Sequence, residues 1–252
     1  MLLFYTTQEV YTNFGIVSLK KDYFLFGCLA LSFVFLIVTI RFSPMGLDLG
    51  SVTGMDSLIS TFLGGDIVLY AFMLLTANTV AEAYRSGVMK NIVGRGIAKK
   101  KYYLSIVFTI SAAYLLVMLI SGIVTGVLAY SRSGMGTVLY PGYYALSIAA
   151  RILFVMTHIS FALTMTILTR NAIAGVLFGL VIPNIPQIVE MVLGFLKVNL
   201  DLGFFKISAH MPSVYEASND ISVFLPCFVV LSGYLIVSIA AGFNLLKHQD
   251  IK

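Results

Sequence analysis

Six stretches of this chain are apolar over most of 18 to 26 residues: Tyr23–Ile40, Gly64–Ala81, Tyr103–Leu128, Tyr143–Leu168, Ala172–Leu196 and Ile221–Leu246. An α-helix rises 1.5 Å per residue, so about 20 residues cross the hydrocarbon of a bilayer. Within lipid the backbone must satisfy its own hydrogen bonds, which a helix does and a lone strand cannot. The pattern therefore predicts an all-α integral membrane protein with six transmembrane helices. The first two runs are short and lean on flanking residues; the third is long enough to tilt or protrude. Composition agrees: 59% of residues are hydrophobic and 11% charged, against about 45–50% and 25% in soluble domains. No small-residue cleavage site stands behind the first run, so it is expected to be retained.

Flanking charge sets the orientation. With the N-terminus inside, Lys20, Lys21, Arg85, Lys90, Arg95, Lys99, Lys100, Lys101, Arg170, Lys247 and Lys252 are cytoplasmic, eleven of the sixteen basic residues. The opposite side and its adjoining helix turns hold Arg41, Arg132, Arg151, Lys197 and Lys206, with seven of the eleven acids. Basic residues gather on the cytoplasmic side, so both termini are expected there. The net charge of +5 is accounted for in this way, and no nucleic acid partner is called for.

Residues 1–22 carry Leu3, Val10, Phe14 and Val17 on one helical face, with Gln8, Glu9, Thr12 and Asn13 largely off it. This reads as an amphipathic helix in the cytoplasmic interface, the alternative being a frayed polar terminus. Residues 23–247 form the membrane domain. Its fifth span is broken by "IPNIPQ", where Pro183 and Pro186 lack backbone donors and impose a kink. The outer segment, residues 197–220, is long for a connection and is expected to hold a short external or re-entrant helix.

Much enzymatic chemistry is missing. No GxxxxGK[ST] phosphate loop occurs, and too little soluble sequence exists for an ATPase domain. His158, His210 and His248 are scattered without an acid at HExxH spacing, so neither a metalloprotease nor a His-based hydrolase is expected, and no metal. Cys28 and Cys227 lie in apolar runs without ligand spacing and read as small buried hydrophobes.

Ionisable groups at membrane depth are costly and draw attention. Arg151 and His158 share a face of the fourth span. Glu190, near the outer end of the antiparallel fifth span, is at a depth where it could pair with Arg151; Arg151 could equally snorkel outward or meet a substrate. His158 is expected to bond a neighbouring helix, with a proton relay as the alternative. Asn78 reads as interhelical glue or as a pathway residue. Gly122 with Gly126 and Gly175 with Gly179 are small-xxx-small pairs that bring helices close, within the chain or across a dimer.

The basic stretch between the second and third spans, "AEAYRSGVMKNIVGRGIAKKK", holds six basic residues. On a helical wheel, Tyr84, Val88, Met89, Ile92 and Val93 cover about half the circumference and Ser86, Gly87, Lys90 and Asn91 the rest. Arg85 falls within the apolar arc. Gly94 and Gly96 then end the helix.

In this layout the chain resembles the permease subunits of type-2 ABC exporters. These have six spans, an N-terminal interfacial helix, external helical structure before the last span, and a loop with Glu, Gly, a short helix, a basic residue and Lys at the third span. Glu82, Gly87, Arg95 and Lys99 to Lys101 stand in that order; "GVMKN" replaces the family's hydrophobic-Thr pair, and its Pro before the Arg is absent. The resemblance implies a coupling loop over 82–101 that docks on a separate cytoplasmic ABC ATPase, present in two copies with its own ATP and Mg. Glu82 would favour the helix start. Tyr84, Val88, Met89 and Ile92 would supply a docking surface after Gly87, and Arg85, Lys90 and Arg95 would pair with acids or lipid phosphates. It also implies a second permease subunit, in a homo- or heterodimer, a bacterial cell membrane, and no enzymatic activity or cofactor in this chain. Compact size and Met- and Phe-rich helices suit an amphipathic or hydrophobic cargo, such as an antimicrobial peptide or drug. Two rivals stand beside this: a membrane sensor or scaffold that recruits a partner through the basic loop, and a secondary transporter, for which only Asp66 and Glu190 offer intramembrane acids.

Overall fold

A computed structural model describes residues 54–64, 66–94, 98–136, 140–197, 201–207, 222 and 224–248. The expected helix over 1–22, the span Tyr23–Ile40, Arg95 and most of the outer segment lie outside them. The described residues form eight α-helices: α1 Gly54–Leu63, α2 Asp66–Arg85, α3 Val88–Gly94, α4 Lys99–Ser133, α5 Pro141–Thr169, α6 Ala172–Val181, α7 Ile185–Phe195 and α8 Phe224–His248. Two single 3-10 turns complete them, and no strand occurs among the described residues. Five stretches are long and apolar enough to cross a membrane: Gly54–Arg85, Lys99–Ser131, Pro141–Thr169, Ala172–Phe195 and Phe224–His248. They coincide with five of the six expected spans, with ends that agree to within ten residues.

The chain divides into two compact units, Met1–Phe62 with Leu116–Thr137, and Leu63–Leu115 with Val138–Lys252. In the first, α1 lies against the second half of α4. A Cβ at Gly126 would stand 3.1 Å from the Gly54 carbonyl oxygen, and one at Gly122 the same distance from that of Leu58. The Thr61 and Thr125 hydroxyls meet at 3.0 Å. The Gly54 and Met55 amides donate to the Gly134 and Met135 carbonyls at 3.0 and 3.1 Å. "GIVTG" thus packs helices within the chain.

In the second unit α5 is the central helix, with 15 of its 29 residues buried. It packs against α8, α6 and α2. The turn from α5 to α6 is two residues. Arg170 takes left-handed backbone (φ 55°) with its amide on Thr166 O, and the Asn171 side chain caps α6 by accepting from the Ile173 and Ala174 amides. So short a turn makes α6 run back along α5. Glycine makes the close approach possible: a Cβ at Gly179 would sit 2.8 Å from Ala162 Cα, and one at Gly175 would strike the Thr166 side chain. The "IPNIPQ" break is a single 3-10 turn, Ile182–Asn184, between α6 and α7. Asn184 Nδ2 donates to Leu180 O at 2.8 Å there, supplying a carbonyl at the interruption with a donor.

One polar cluster ties α4, α5 and α8. Tyr103 Oη lies 2.7 Å from Ser160 Oγ and 2.8 Å from Thr164 Oγ1. Ser160 Oγ lies 2.6 Å from Ser238 Oγ, and Thr164 donates to Ser238 O at 3.1 Å. Gly242 on α8 leaves room for the Tyr103 ring, which a Cβ there would meet.

The α5–α6 contact yields a test. Gly179→Val overpacks a backbone contact and should cost about 1–3 kcal/mol, lowering the thermal midpoint of the purified protein in detergent. Gly194→Ala, where an added Cβ has no neighbour within 4 Å, should leave the midpoint unchanged or raise it.

Candidate functional site

The ionic centre of the second unit is Arg151, 2% exposed, on α5. Its Nη2 lies 2.8 Å from Asp66 Oδ1, at the first residue of α2, and donates to Tyr114 Oη on α4 at 2.9 Å. Its guanidinium also stands 4.9 Å from the Phe154 ring centre. Three helices therefore converge on one cation. Asp66 is half-exposed and opens α2, where a carboxylate suits the positive end of the helix dipole. The Tyr114 ring meets Phe72 of α2 edge-on at 5.7 Å, fixing the phenol that accepts from Arg151.

This corrects the expected pairing of Arg151 with Glu190. Glu190 forms its ion pair with Lys206, in the described part of the outer segment. That part is tied down: Asp201 accepts from the Gly203 amide, Tyr234 donates to Phe205 O at 3.3 Å, and Ile207 is buried with Ala150, Cys227 and Leu231. The local pairing ties Glu190, midway along α7, to the outer segment, while Arg151 finds its acid on α2. Outward snorkelling is excluded too, since Arg151 is enclosed.

His158 differs as well. Its Nδ1 is 3.0 Å from Phe154 O, one turn back on its own helix. A carbonyl only accepts, so Nδ1 carries the proton. Its ring lies against that of Phe154, with centroids 4.2 Å apart and planes tilted by 44°. The bond is to its own helix and not to a neighbour.

The basic loop is organised differently from a single helix over 84–93. Glu82, Tyr84 and Arg85 belong to the last turns of α2, and the chain breaks at Ser86–Gly87. Ser86 donates through both amide and hydroxyl to Glu82 O, at 2.9 and 2.7 Å. Gly87 adopts φ 71°, backbone that only glycine takes cheaply. On α3, Met89 and Ile92 are 1% and 7% exposed, seated among Val80, Ala83, Tyr102, Tyr103, Val107, Leu163, Ile167 and Leu246. The apolar face expected to dock on a partner is thus turned into the chain's own core, where burial against four helices outweighs exposure to water. Lys90, Ser86 and Arg85 face outward, Val88 and Tyr84 are half-buried, and the Arg170 guanidinium covers Tyr84 at 5.6 Å.

The lysine run opening α4 does more than mark a side. Lys99 Nζ donates to Leu246 O at 2.8 Å, in the last turn of α8, where a cation meets unsatisfied carbonyls. Lys100 stands over the Phe243 ring at 5.5 Å.

Residues that sequence reasoning passed over are Tyr114, Tyr103, Ser160, Thr164 and Ser238. The available signal was a lone tyrosine inside an apolar run, whose hydroxyl needs a partner in lipid. Among the described residues no cluster of His, Cys, Asp and Glu is placed to hold a metal ion.

The five spanning stretches are consistent with a helical, multi-pass membrane protein. Comparison with known proteins adds no narrower grouping: no family model, no curated protein and no solved structure matches the chain.

The Arg151 centre predicts an asymmetry. Asp66→Ala strands a buried cation and should destabilise the protein by about 3 kcal/mol or more. Arg151→Met leaves Asp66 free to reach water and should cost less. Glu190→Gln should change little, since partly exposed pairs contribute about 0–1 kcal/mol. Thermal unfolding of the three variants in one detergent ranks them.

Proposed function

We propose that this chain is the permease subunit of an ATP-driven ABC exporter in a bacterial cell membrane. It spans the membrane six times with both termini cytoplasmic, begins with an interfacial helix, and works with a second permease subunit and two copies of a separate ATPase. ATP and Mg are bound by that ATPase, and this chain has no enzymatic activity of its own. The cargo is amphipathic or hydrophobic, an antimicrobial peptide or a drug.

The observation that carries this reading is the seating of α3. A helix of seven residues is too short to be stable alone. It is held because Met89 and Ile92 are inserted among the ends of α2, α4, α5 and α8. A push on its outer face therefore reaches four helices through packed side chains, which barely compress. This is what a part that relays ATPase movement requires, and a loop that only sets orientation does not require it. The docking surface is reassigned to the outward residues, Lys90 at its centre with Ser86 and the edge of Val88. Met89 and Ile92 act as the transmitting side.

The test separates the two faces. The chain is co-purified with its candidate ATPase. Lys90→Glu should reduce association by about tenfold, the effect of losing ~1.4 kcal/mol at a contact, without lowering the thermal midpoint; Val88→Asp should reduce association and also lower the midpoint, because Val88 packs in part against the core. Ile92→Ala should lower the midpoint by removing buried methylenes. Association and ATPase stimulation that survive both outward changes would refute the coupling role. Substrate-stimulated ATP hydrolysis by the reconstituted complex, over a panel of peptides and drugs, then identifies the cargo.

A further inference from the structure

Three buried polar side chains around Phe154 have hydrogen-bonding capacity that no described residue uses. Arg151 bonds Asp66 and Tyr114 through Nη2, and its Nε is buried without a partner among the described residues. Ser111 on α4 is 3% exposed, and its hydroxyl is equally unpartnered. Other buried hydroxyls in this unit behave differently: Thr76, Ser147, Thr157 and Thr166 each donate to the carbonyl four residues back. His158 uses Nδ1 on Phe154 O, which leaves Nε2 as an acceptor, and no described residue donates to it. Buried groups left unpaired destabilise a fold, so these three call for a polar occupant.

The three converge. The guanidinium carbon stands 4.9 Å, and the imidazole centre 4.2 Å, from the centre of the Phe154 ring. The two heads are therefore no farther apart than those distances together. Helices α4 and α5 run antiparallel, since Tyr103 meets Ser160 and Thr164 while Tyr114 meets Arg151. Ser111 lies less than a quarter-turn around α4 from either tyrosine, and this register sets it level with Phe154, between Arg151 and His158. Charge narrows the occupant. Asp66 already answers Arg151, so an anion would add a charge that nothing at the site neutralises. The site offers two donors, at Arg151 and Ser111, and one acceptor, at His158. A peptide group carries the converse, a carbonyl that accepts and an N–H that donates. With a hydrogen bond of about 2.9 Å at each end, it reaches across a gap of this size. Asp66, bonded to Arg151 and half-exposed, links the site to the surface.

We propose that Arg151, Ser111 and His158 form a binding site for a neutral secondary amide, the group that a peptide backbone carries, beside the ring of Phe154. This rests on the exporter reading only in making a peptide the cargo; the binding itself needs no ATPase.

The test uses the full chain purified in lipid nanodiscs without an ATPase. N-methyldodecanamide, methyl dodecanoate and dodecanoate share one hydrocarbon chain and differ in the head, so their affinities compare the head alone. N-methyldodecanamide should bind about tenfold more tightly than methyl dodecanoate, which has no N–H for His158 Nε2. Ser111→Ala should weaken the amide by about 2- to 10-fold, the effect of one hydrogen bond. It should leave the unliganded thermal midpoint unchanged or raised, because it removes a hydroxyl that has no partner. His158→Leu should abolish the preference for amide over ester, and His158→Gln, whose carbonyl also accepts, should keep part of it. The proposal is overturned if amide and ester bind alike, or if dodecanoate binds more tightly than both. It is equally overturned if Ser111→Ala lowers the unliganded midpoint, the mark of an ordered water already pairing that hydroxyl. None of these outcomes touches association with the ATPase, and loss of that association leaves them unchanged, so the two readings fail separately.

Discussion

The second unit depends on a constraint that soluble proteins escape: a polar side chain enclosed in apolar surroundings has only other protein groups to bond. Arg151 shows the consequence. A guanidinium at membrane depth requires an acid and an acceptor, and the ones supplied come from different helices, Asp66 on α2 and Tyr114 on α4. Satisfying one cation thus fixes three helices against one another at that level. The Tyr103, Ser160, Thr164 and Ser238 hydroxyls do the same for α4, α5 and α8. Between these clusters the contacts are apolar and less demanding of geometry, so the polar groups select one arrangement among many greasy ones.

Small residues complete the arrangement. Gly175 and Gly179 let α6 lie almost backbone to backbone on α5, and Gly242 admits the Tyr103 ring. Each saves the space that a polar contact nearby needs. Gly87 works differently, through its φ of 71°, which lets the chain leave α2 and re-enter as α3 with its apolar side inward. Side-chain burial and backbone freedom cooperate there: without the turn, Met89 and Ile92 could not reach the core that stabilises their helix.

Much of this was legible along the chain. Hydrophobic runs located five described spans because lipid permits little besides helix at that length and apolarity. The break at Pro183 and Pro186 came from a missing donor, and the packing use of both glycine pairs from their four-residue spacing. What misled was partner choice. Arg151 and Glu190 were matched by depth alone, yet depth does not say which helix faces which, and Glu190 had Lys206 within reach. Amphipathicity likewise marked Met89 and Ile92 as a buried face without saying what buries them. A helical wheel separates two sides of a helix but cannot tell a partner's groove from the chain's own core.

The sequence by itself determined the class of structure, helices that cross a membrane, because that outcome rests on local apolarity and backbone hydrogen bonding. It also determined where the fifth span must break, through Pro183 and Pro186. Only the tertiary structure decided which acid answers Arg151, which carbonyl receives Lys99, and which way α3 faces. Those are contacts between residues up to 147 positions apart, set by how whole helices pack. No spacing within a single helix carries that information.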